Sequence, residues 1–156
     1  MSAIASDNPF TDGEAETLSA LVGMMIPASE KYAIPGADDV LILADILGTA
    51  RAHAEAVKAG LAALDAHGQD IHGGAFPTLD LDVRMAIVDE FKQSSAPFIR
   101  AVTSITVQCY YRDARVMESL GMEARPPFPK GYELEQGEWS LLDPVRDRGK
   151  MWRDAT

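Results

Sequence analysis

The sequence predicts an all-α protein, a single-domain bundle of four or five helices followed by an irregular C-terminal arm rich in proline and aromatic residues. Three observations lead there. Apolar residues recur at spacings of three and four along most of the first 120 positions, no segment of strand length alternates apolar with polar, and Pro126, Pro127, Pro129 and Pro144 all follow the last strongly helical stretch. With 156 residues, 47% of them hydrophobic, a chain of this length buries roughly two thirds of the surface its unfolded form exposes. Residues 1–124 are therefore read as the bundle, with 1–10 as a flexible lead, and 125–156 as the arm of the same domain.

Each element has its own signal. Thr11-Asp12-Gly13-Glu14 has the form of a capping box, and Leu18, Leu21, Val22 and Met25 then recur at helical spacing until Pro27. Pro35-Gly36 marks a turn. The run Val40–Leu47 is apolar on nearly every side and by period alone could be a buried strand. It continues into the alanine-rich stretch from Ala52 to Ala66, too long for a strand, so helix is favoured, with Gly48 as a kink and Gly68 as a C-terminal stop. After a loop from Gln69 to Pro77, Val83, Ile87 and Phe91 define another helix, capped by Thr78 or Asp80. From Pro97 the residues Phe98, Val102, Ile105 and Cys109 share one face of a long helix that extends toward Val116 and Leu120 and ends at Gly121. Beyond Arg125 no helical or strand period fits.

The formal net charge is −10. Residues 1–78 carry three basic against eleven acidic side chains and residues 79–156 eleven against thirteen, so the acidity belongs mainly to the first half. Such a chain repels phosphate backbones and anionic lipid, and no basic stripe with interleaved aromatics compensates; nucleic acid is not an expected partner. No eighteen apolar residues run together, which argues against direct membrane insertion. The start, Met1–Asp7, has neither a positive cluster nor an apolar run, so the chain as written reads as cytoplasmic, or periplasmic if a leader has been removed.

Chemistry-bearing residues are sparse in pattern. His53, His67 and His72 have no i, i+4 partner, although His67 and His72 with Asp65 and Asp70 offer a conceivable metal loop. The plainer reading places His67 in a last helical turn, where positive charge suits the macrodipole, His72 in a solvated turn before Gly73-Gly74, and His53 at a helix–helix contact on the Val57, Leu61, Leu64 stripe. Cys109, the sole cysteine, excludes an internal disulfide and sits on an apolar face as a small hydrophobe, though it remains able to cross-link to another chain. The pairs Asp38-Asp39 and Asp80 with Asp82 fall at helix starts, and Asp89-Glu90 on a solvated face. There is no Gly-x-Ser-x-Gly elbow, no nucleotide-binding glycine pattern and no Cys-x-x-Cys-His, so neither a catalytic residue nor a cofactor or metal site is assigned to this chain.

Two groups of residues carry a resemblance. Leu18 to Pro27 with Pro35-Gly36-Ala37 resembles the opening of gluconate 2-dehydrogenase subunit 3 proteins. Cys109-Tyr110-Tyr111-Arg112-Asp113, then Leu120-Gly121, then Pro127-Phe128-Pro129-Lys130-Gly131-Tyr132 and Trp139 to Val145 resemble that family's C-terminal signature; together they span about Phe10 to Arg146. The resemblance implies a non-catalytic small subunit that binds, stabilises or matures a large catalytic subunit of the glucose-methanol-choline type. That partner would carry FAD and oxidise a sugar or related alcohol, with a cytochrome subunit in some complexes. Family members often carry a twin-arginine export signal, and no Arg-Arg pair precedes Phe10 here.

The expected partner-binding set is Tyr110, Tyr111, Arg112, Arg115, Pro127, Phe128, Pro129, Tyr132 and Trp139. Tyrosine, tryptophan and arginine are the residues enriched at interface anchors, and Pro-Phe-Pro supplies a stiff strip with little entropy to lose. The same residues can instead fasten the arm to its own bundle. Two other classes stay open: a self-associating helical protein, and a small metal-binding enzyme built on His53, His67 or His72.

Overall fold

In the computed structural model Thr11 starts the first helix as its sequence requires. The Thr11 hydroxyl accepts from the Glu14 amide at 3.3 Å while the Glu14 carboxylate accepts from the Thr11 amide at 2.7 Å. The residues described are 8–126, 128–131, 133 and 137–150; residues 1–7 of the expected flexible lead lie outside them. The chain divides into two units, Met1–Arg125 and Pro126–Thr156.

The first unit is a bundle of five long helices and one short one: α1 Asp12–Met25, α2 Val40–Ala50, α3 Ala54–His72, α4 Leu81–Ser94, α5 Ala96–Tyr110 and α6 Ala114–Ser119. Among the described residues there is no strand, only an isolated bridge between Ser29 and Ile34 in the loop after α1. No helix of the described residues is long and apolar enough to cross a membrane. The core is made by the predicted stripes. Leu18, Leu21 and Val22 of α1, Ile42 and Ile46 of α2, Val57, Leu61 and Leu64 of α3, Ile87 of α4 and Val102 of α5 are all buried, each contributing about 1.5–3 kcal/mol by leaving water. The apolar run of α2 is helical because one face packs on α5, its most extensive neighbour, while Val40 and Leu41 stay exposed.

Four local expectations are corrected. The α2–α3 break lies at a 3-10 turn, Arg51–His53, and not at Gly48. Gly68 does not stop α3; it is buried mid-helix, where an added Cβ would meet the Gly74 carbonyl at 2.9 Å, and the helix ends at Gly73 in the left-handed conformation, φ 72°. The expected loop from residue 69 is helical as far as His72 for the same reason. The helix of Phe98 stops at Tyr110, because Asp113 caps a new helix by accepting from the Arg115 amide at 2.9 Å.

Half-buried Asp65 of α3 joins three elements. Its carboxylate accepts from the Thr17 hydroxyl at 2.9 Å and from the Phe76 amide at 3.1 Å, tying α1 and the Phe76–Thr78 turn to α3. Both partners are buried. In the second unit a 3-10 turn, Trp139–Leu142, leads into a one-turn helix, α7 Asp143–Arg146. The arm thus holds helical turns the sequence period did not reveal, since Pro144 sits in a first turn, where its missing N–H costs nothing.

Candidate functional site

The residues singled out around Tyr110 form a corner where the chain leaves α5 and enters α6. Tyr110 continues the buried face of Phe98, Val102, Ile105 and Cys109, so its ring is driven inward and is 2% exposed. Its hydroxyl donates to the Pro35 carbonyl at 3.0 Å. Tyr111 falls outside that face. It is 53% exposed and meets the Tyr110 ring edge-on at 5.3 Å.

Two arginines lock this corner to α2. The Arg112 guanidinium forks onto the Asp45 carboxylate, Nε to Oδ2 at 2.5 Å and Nη2 to Oδ1, and Nη2 also donates to the Thr49 hydroxyl at 3.0 Å. Asp45 and Thr49 stand four apart on one face of α2. Arg115 grips two carboxylates: Asp39 at 2.6 and 3.1 Å and Asp113 at 2.9 and 3.0 Å. Asp39 caps α2 through the Leu41 amide and Asp113 caps α6, so one guanidinium joins the capping residues of two helices. Paired bidentate contacts of this kind fix orientation as well as distance.

The electrostatics follow from those contacts. Hydrogen bonding to Arg115 holds the Asp39 and Asp113 carboxyls below their ordinary range, and Arg115 is in turn pushed up by Asp39 and then Asp113. Arg112 is raised by its bond to Asp45. Burial pushes the Cys109 thiol up, against the lowering effect of its Thr49 contact at 3.4 Å, and burial likewise raises Tyr110. Carboxylates engaged and depressed in this way serve as anchors and are poor proton acceptors near neutrality. The corner fastens elements together.

Of the expected partner-binding residues, Tyr110 lies in the interior, because its helical position places it on the core stripe. Arg112 and Arg115 are engaged within the chain and still 48% and 43% exposed at their side chains. Tyr111, Phe128, Pro129 and Trp139 are exposed. Pro127 and Tyr132 lie outside the described residues. The structure brings the two stretches that carried the family resemblance together: Pro35 meets Tyr110, and Asp39, three residues from Gly36, meets Arg115. Asp39, Asp45 and Thr49 were not singled out as site residues. Asp45 had a signal, being the one carboxylate inside the apolar run from Val40 to Leu47.

The histidines scatter. His53 is exposed, contrary to the expected helix–helix contact, because the 3-10 turn breaks the register of the α3 stripe before reaching it. His67 stands between α3 and α4, its Nε2 3.4 Å from Glu90 and its ring edge-on to Phe91 at 5.8 Å. It lies mid-helix, and His72 takes the last turn of α3. Among the described residues no three His, Cys, Asp or Glu gather closely enough to hold a metal ion.

Comparison with known proteins gives one family. The family described as gluconate 2-dehydrogenase subunit 3 matches residues 12–126. The match starts with α1 and includes the whole arginine corner, and it ends at Pro126, ahead of the aromatic arm. No curated protein and no solved structure matches the chain.

Proposed function

The chain belongs to the gluconate 2-dehydrogenase subunit 3 family, and on that premise we propose that it is a non-catalytic small subunit that binds, stabilises or matures an FAD-dependent sugar or alcohol dehydrogenase of the glucose-methanol-choline type. Flavin and hydride transfer belong to the partner, and a cytochrome subunit accepts electrons where the complex has one. The observation that carries the reading is the extent of the family match, which spans every helix of the bundle and the arginine corner. In this scheme Arg112 and Arg115 hold the α5–α6 corner, while Tyr111, Phe128 and Trp139 contact the catalytic subunit. Exposed aromatics of this size suit interface anchors, since burying them on a partner recovers a large apolar area.

Co-expression tests it. The soluble, FAD-loaded yield of the catalytic subunit should rise when this chain is present, and the two should co-purify. Trp139→Ala combined with Phe128→Ala should weaken the complex roughly tenfold or more. A yield indifferent to the chain, with no co-purification, removes the proposal.

A further inference from the structure

No further inference is drawn: the strongest candidate, the methionine-lined groove between α1 and α4 where Met24 and Met85 lie beside Arg84, is an unpartnered apolar surface, and nothing in the structure shows what covers it.

Discussion

Arg115 does at one position what two caps do separately, and its consequences are visible in acid. Asp39 and Asp113 are held below their ordinary pKa in the folded chain, so the stability they contribute is full above the unfolded carboxylate value of about 3.9 and is lost as pH falls through the depressed folded values. Solvent screens pairs this exposed, so the effect is one of slope and position more than of total stability. Thermal melts between pH 6 and pH 2 should show a steep acid limb that Arg115→Ala flattens. An identical limb in the variant would show that the guanidinium does not set those carboxyls. Asp65 is the opposite case, a single acceptor for two donors in the interior. Asp65→Ala should cost roughly 1–3 kcal/mol in urea unfolding by stranding Thr17 and the Phe76 amide. Cys109, buried with its thiol raised, should react with a thiol reagent only as fast as the bundle opens; rapid labelling of the native protein would contradict its placement.

Among the elements, the α3–α5 contact depends on the absence of a side chain. A Cβ at Gly60 would lie 2.1 Å from Phe98 Cδ2, so Gly60→Ala forces the ring or the helices apart, at about 1–3 kcal/mol of overpacking. Gly60→Ala with Phe98→Leu should recover part of that loss, measured by denaturant midpoint; no recovery would mean the strain lies elsewhere. Gly60 also shows what periodicity misses. The α3 stripe of Val57, Leu61 and Leu64 is legible from spacing, whereas the reason one turn of it is glycine appears only when α5 is laid against it. The same holds for the break after Tyr110. Apolar spacing runs on to Val116, and the sequence shows no proline or glycine there, yet the capping bond of Asp113 and its grip by Arg115 open a corner.

For the molecule as a whole, the division at Arg125 and Pro126 predicts that a chain ending at Arg125 keeps the helical circular dichroism and melting temperature of the bundle. A fall of many degrees would show that the arm is part of that core. If Phe128 and Trp139 are contacts to the catalytic subunit, the same truncation weakens co-purification, so comparing the full chain with the shortened one separates stability from binding. The family match stops at the same boundary, at Pro126.

Helix formation, the capping box at Thr11, the core stripes and the kinship of the chain follow from local order, because backbone period, caps and motif spacing are properties of neighbouring residues. Partnership across distance does not. That Asp39 and Asp45 belong to Arg115 and Arg112 some seventy residues away, that Tyr110 faces inward while Tyr111 faces out, and that Arg84 Nε is left unpaired beside a methionine groove were settled by how α1, α2, α4 and α5 pack. A side chain's burial and its long-range partner depend on the relative placement of helices, and one-dimensional spacing fixes only the face on which it starts.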